Sequence, residues 1–155
     1  MKDALRAAQN TMRRAGVRGN YTPVENMHLT LAFIGEYPDA EPIQDALSAV
    51  SFEPFELSLD GMGCFGNLWW AGLGESESLT ALVRRLRRAL AENGIPFDRK
   101  RFSPHITLIR RASGRLPAMQ IRPASMTVSS VLLMRSDRGR NGMIYTELFA
   151  LEAQG

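Results

Sequence analysis

One cysteine and two histidines are all that the 155 residues hold of the side chains that most often form disulfides or bind transition metals. Cys64 alone excludes an intrachain disulfide, and with His28 and His105 it cannot complete a four-ligand Cys/His zinc site. No apolar run approaches the roughly 20 residues needed to span a bilayer, and the opening MKDALRAAQN lacks the apolar stretch of a secretory signal. The expectation is a soluble, cytoplasmic chain with no membrane association. At 45% hydrophobic and 23% charged the composition is too apolar for intrinsic disorder. One domain spanning residues 1–155 is expected, with no linker or composition break to divide it.

Charge is unevenly placed. Between Arg84 and Arg122 eleven Lys and Arg face two acids, Glu92 and Asp98, a local balance of +9 within a net charge of +3, so the rest of the chain carries −6. Arg84, Arg85, Arg87 and Arg88 share one helical stretch, which reads either as a solvated face or as a field that attracts a polyanion such as RNA.

Apolar periodicity predicts a helix over 3–15, stopped at Gly16, and a strand over Met27 to Ile34. A second helix follows with Asp39 as its cap and Ile43, Ala46, Leu47 and Val50 as its buried stripe. Phe55, Leu57 and Leu59 alternate with polar residues as in a half-buried strand, with Leu68 to Leu73 as hairpin partner. Leu79, Leu82, Val83, Leu86 and Leu90 mark the clearest helix, with Ser78 as N-cap and Gly94 as stop. Three more strands are predicted at Pro104 to Ile109, Met126 to Met134 and Met143 to Leu151.

Alignment of the two best helices exposes a weak internal repeat. Helix, Gly16-Val17, proline loop and His28-Leu-Thr30-Leu matches helix, Gly94-Ile95, proline loop and His105-Ile-Thr107-Leu. The strand before the second helix has no counterpart before the first, so the first half of the repeat lacks one strand.

Both histidines therefore stand in the pattern His, Leu or Ile, Thr, Leu, which chance would give one histidine at roughly one in a thousand. In a strand, residues i and i+2 share a face, so each motif offers an imidazole beside a hydroxyl while Leu29, Leu31, Ile106 and Leu108 turn to the core. If the halves pack about a pseudo-twofold axis, the histidines face each other across a groove. A phosphate held there meets two acid–base groups, one to activate a nucleophile and one to protonate a leaving oxygen, with the threonines on its non-bridging oxygens. No metal or other cofactor is required.

In the settings ENMHLTLAFIGE and RFSPHITLIRR these motifs resemble the two-histidine phosphoesterase superfamily, and within it the RNA 2′,3′-cyclic phosphodiesterases, also called 2′-5′ RNA ligases. The resemblance extends over nearly the whole chain, including Leu132 to Tyr145 and the closing FALE. It implies a bilobal α+β fold, two antiparallel sheets related by a pseudo-twofold axis with helices outside and a central groove. It implies metal-independent hydrolysis of 2′,3′-cyclic phosphate ends of RNA or nucleotides to 2′-phosphates, with His28 as proton donor and His105 as proton acceptor. By position Arg110 corresponds to a phosphate-binding arginine and Phe33 to an aromatic near the base. The family usually opens with an apolar strand before the first helix, the same strand the repeat lacks. The reverse reaction, 2′-5′ ligation, and a nucleotide- or RNA-binding module without turnover are the alternatives. No obligate protein partner is indicated.

Of the adjacent Trp69 and Trp70 one is expected in the core, while the other could stack on a base. The glycines at 61, 63 and 66 do not form a phosphate-binding fingerprint, and Cys64 beside them is a poor nucleophile candidate. Met62, Met119, Met126, Met134 and Met143 read as scattered gap-fillers.

Overall fold

The computed structural model describes residues 1–154. Chain order is α1 (Lys2–Arg14), β1 (Arg18–Tyr21), a 3-10 turn (Val24–Asn26), α2 (Glu41–Ser48), β2 (Phe55–Phe65), β3 (Leu68–Leu73), α3 (Glu77–Glu92), β4 (His105–Ser113), β5 (Ser125–Val128), β6 (Ser130–Gly139) and β7 (Gly142–Glu152). The fold is α+β. Five strands form one sheet in the order β1-β4-β3-β2-β5, and β6 and β7 form a ribbon. The pairs β1–β4, β2–β3, β3–β4 and β6–β7 all run antiparallel. No described helix is long and apolar enough to cross a membrane.

The chain divides into two compact units. The first comprises Met1–Thr30, Leu57–Glu75 and Ser103–Met126, and the second Leu31–Glu56, Ser76–Phe102 and the chain from Thr127 onward. In the first, Ala4, Leu5, Ala8 and Met12 form the buried stripe of α1 and pack with Trp69, Ala71, Ile106, Leu108 and Ile109 of the sheet. Leu5 and Met12 are fully enclosed, so truncating either to alanine costs about 2–5 kcal/mol. Gly16, at φ +85°, ends the helix, and the Val17 N–H returns to the Met12 carbonyl at 3.0 Å. Tyr21 donates to the Val17 carbonyl at 2.7 Å beneath the Arg13 guanidinium, and burial raises its phenol above the ordinary tyrosine value against the opposing pull of Arg13.

In the second unit Ile43, Ala46, Leu47 and Val50 pack against Leu82, Leu86, Ala89 and Leu90 of α3, with Leu133 from the ribbon. The N-cap of α2 is Ala40 and not the expected Asp39, which lies one residue earlier and accepts from the Glu41 N–H at 3.2 Å. The stop of α3 repeats that of α1: Gly94 takes φ +68° and the Ile95 N–H returns to the Leu90 carbonyl at 2.9 Å. The internal repeat is therefore a repeat of cap geometry as well as of sequence.

Four further expectations need correction. Helix α3 begins two residues early, because Ser76 rather than Ser78 accepts from the Leu79 N–H, at 3.1 Å. The strand expected over Met126 to Met134 is broken at Ser129 into β5 and β6. Strand β1 lies where a polar loop was expected. The strand expected over Met27 to Ile34 reduces to one antiparallel bridge, Leu29 with Ile106. The last two are connected. Strand β1 occupies the β4 edge at Ile109, Arg110 and Ser113, which leaves only the beginning of that edge for Leu29.

Candidate active site

The Leu29–Ile106 bridge sets the geometry of both motifs. Continuing its antiparallel register one step to either side sets His28 against Thr107 and Thr30 against His105. Leu29 and Ile106 turn into the first core, so all four flanking side chains take the other face. Directly opposed residues in such a pair have Cβ atoms about 4.5–5.5 Å apart and diagonal ones about 7–8 Å. By that register the two histidines are the diagonal pair.

The imidazoles are anchored alike. His28 Nδ1 lies 2.7 Å from the Asn26 carbonyl oxygen, and His105 Nδ1 lies 2.7 Å from that of Ser103. A carbonyl only accepts, so Nδ1 carries the hydrogen in each ring and Nε2 is the nitrogen suited to proton exchange. The backbone two residues upstream sets this orientation in both halves.

Arg110 reaches the same face through an irregularity. Unbroken alternation from His105 would turn residue 110 inward. Between β3 and β4, however, Trp70 pairs with Thr107 and Trp69 with Ile109, which leaves Leu108 as an extra residue. Leu108 and Ile109 are consecutive and both fully buried, so the alternation is reset and exposed Arg110 joins His105 and Thr107. The bulge is held by Gln9, a buried polar residue on α1, whose Nε2 donates to the Leu108 carbonyl at 3.0 Å and the Thr22 carbonyl at 2.8 Å. A second irregularity, between β1 and β4, surrounds Gly19 and Arg111. Arg111 adopts φ +55°, and a Cβ on Gly19 would stand 2.9 Å from the carbonyl oxygens of Arg110 and Arg111.

Trp69 is the buried member of the tryptophan pair, and Trp70, opposite Thr107, lies on the site face. Its ring centroid is 6.0 Å from that of His105, and Phe65 lies 5.1 Å from His105 at a steep angle. Phe33 belongs to the second unit, where its ring is exposed and its carbonyl accepts from the Asp98 N–H at 2.7 Å. It is not among the side chains that the first unit brings together. Among the described residues no group of three or more His, Cys, Asp or Glu side chains is gathered as metal ligands would be.

Sequence reasoning missed Gln9, Gly19 and Phe65. For Gln9 a signal existed, since it falls four residues after Leu5 on the apolar stripe of a helix. A polar residue there implies a buried partner.

The sheet, the two His-x-Thr motifs and their shared face define a paired-histidine protein, and comparison with known proteins assigns its family. The sequence model of the 2′-5′ RNA ligase superfamily matches residues 2–140, and the chain belongs to that family. It is 31% identical to an RNA 2′,3′-cyclic phosphodiesterase of Aeropyrum pernix over 99% of this chain and 97% of the relative. It is 38% identical to one of Geobacillus stearothermophilus, a match covering 69% of this chain and 38% of that longer relative. The fold superposes on E. coli LigT complexed with 3′-AMP with a TM-score of 0.81 at 27% identity, covering all of this chain and 94% of the other.

Proposed function

We propose that the protein is a metal-independent RNA 2′,3′-cyclic phosphodiesterase that opens cyclic phosphate ends of RNA or nucleotides to 2′-phosphates. The observation that carries the reading is the Leu29–Ile106 bridge, whose antiparallel register supports two imidazoles and two hydroxyls on one face. Each half of the internal repeat contributes one of each. The names of its relatives, RNA 2′,3′-cyclic phosphodiesterases, support the same substrate class.

In this mechanism His105 Nε2 takes a proton from water, and the water oxygen attacks phosphorus in line with the ribose 3′-oxygen. As the bond from phosphorus to that oxygen breaks, His28 Nε2 gives its proton to it, so no free alkoxide forms. Thr30 and Thr107 donate to non-bridging oxygens, and Arg110 offsets the charge that gathers on them in the transition state. The product keeps its phosphate on the 2′-oxygen.

The test is turnover of a nucleoside 2′,3′-cyclic phosphate by purified protein, with the isomeric product identified by phosphorus NMR. Accumulation of the 2′-phosphate, abolished in His28→Ala and in His105→Ala, is the expected result. No turnover, or a 3′-phosphate product, would overturn the reading.

A further inference from the structure

Phe65 is a large aromatic left 49% exposed at the end of β2, beside the tight turn at Gly66 and Asn67. Its centroid lies 5.3 Å from Trp70 and 5.1 Å from His105, at 87° to the imidazole. Trp70 closes the triangle at 6.0 Å and 51°. The β2–β3 ladder is shaped to admit the indole. Gly63 pairs with Trp70, and a Cβ on Gly63 would overlap the six-membered part of its ring. Trp70 Nε1 is also buried, without a hydrogen-bond partner among the described residues.

We infer that Phe65 and Trp70 are positioning residues for His105, a wall of two packed rings on one side of the imidazole that, together with the Ser103 hydrogen bond, forms a clamp aiming Nε2 at the reacting atom. This rests on the proposed role of His105. The hydrogen bond from Nδ1 to Ser103 fixes one point of the ring, but rotation about that bond still sweeps Nε2 sideways. Both rings lie on the same side of the imidazole, 5.1 and 6.0 Å from it and 5.3 Å from each other, and block its swing in that direction. Near-attack geometry tolerates little error, and a displacement of about 1 Å can cost up to a hundredfold in rate. The clamp acts on the imidazole and not on the nucleotide, so it affects kcat and leaves substrate binding alone.

The test uses Phe65→Leu, Phe65→Tyr and Trp70→Phe in the full chain with a nucleoside 2′,3′-cyclic phosphate. Phe65→Leu should lower kcat roughly tenfold or more with KM unchanged, Phe65→Tyr should restore it, and thermal stability should be nearly unaltered by either. Trp70→Phe should lower kcat as well. A rise in KM with kcat intact would make Phe65 a base-stacking surface and overturn the inference, as would unchanged kinetics. Imidazole 1H–15N spectra give a reading independent of turnover: the His105 Nδ1–H signal should be sharp in the parent protein and broadened in Phe65→Leu. If the parent protein fails to turn over the substrate while this spectral difference appears, the clamp stands and the assigned reaction falls. An identical Nδ1–H signal in both proteins overturns the clamp.

Discussion

Leu29 and Ile106 touch as a single antiparallel bridge, and that one pairing decides the direction of four polar side chains. Both residues are apolar and core-facing, so their burial also holds His28, Thr30, His105 and Thr107 to the opposite face. Leu29→Pro imposes a fixed φ at the bridge and should reduce kcat/KM far more than Leu29→Val, which leaves the backbone free to pair. Equal losses in the two variants would show that the pairing is unimportant to the site.

The bulge at Leu108 is expected to govern Arg110 from a distance. Gln9→Met keeps the volume but abandons two buried carbonyls, which should cost about 1–3 kcal/mol of stability. With the bulge loosened, Arg110 loses its direction and KM for the cyclic phosphate should rise. Arg110→Ala should raise KM similarly without the stability loss. If Gln9→Met unfolds at the parental temperature and binds normally, the bulge needs no such support.

The basic window divides into two kinds of arginine. Arg84 and Arg88 are exposed on α3, and replacing both by alanine should lower the salt slope of RNA binding by roughly 1 for each phosphate that an arginine had neutralised, with little effect on stability. Arg87 instead donates to the Lys100 carbonyl at 2.8 Å and lies over Phe97 and Phe102. Arg87→Ala should therefore lower the melting temperature by removing that packing. A KM for RNA that is flat from low to physiological salt would assign all of these arginines to solvation or packing.

Much of this was legible in the sequence because helix stripes and cap glycines are local signals. Gly16 and Gly94, each followed by an apolar residue, announced the same helix stop, and the alternation of the second motif holds in β4 from His105 to Thr107, while the first motif keeps only the Leu29 bridge. What failed were matters of competition and exception. The stretch from Met27 to Ile34 has strand composition, but β1, too short and polar to be noticed, holds most of the β4 edge. Arg110 became a candidate through family resemblance, while simple alternation would have turned it inward; the bulge that reverses this depends on Gln9, 99 residues away in sequence. Phe65 next to His105 is likewise a long-range pairing that no local pattern encodes.

Activity should persist in full in the presence of a chelator, because the proposed chemistry runs on two imidazoles. Coordinating a metal would occupy the Nε2 positions that exchange protons. Loss of turnover in EDTA, restored by a divalent ion, would replace the acid–base scheme with metal-assisted hydrolysis.

The roles of the two histidines are the most exposed part of the scheme, since their backbone anchors at Asn26 and Ser103 are alike. One ring must begin protonated and the other neutral, so kcat/KM should be bell-shaped in pH, with apparent limits belonging to the coupled pair. Each alanine variant should lose roughly 10² to 10⁴ in kcat/KM while nucleotide binding largely survives. To separate donor from acceptor, the leaving oxygen can be made that of an activated phenol in a phosphodiester substrate, because such a group departs without a proton. His28→Ala should then regain much of its activity, having lost only a proton donor that is no longer needed. His105→Ala should stay inactive, since the attacking water still requires a base. Recovery of His105→Ala with continued failure of His28→Ala would exchange the two roles, and recovery of neither would mean that both rings serve the attack or the phosphate and not the leaving group.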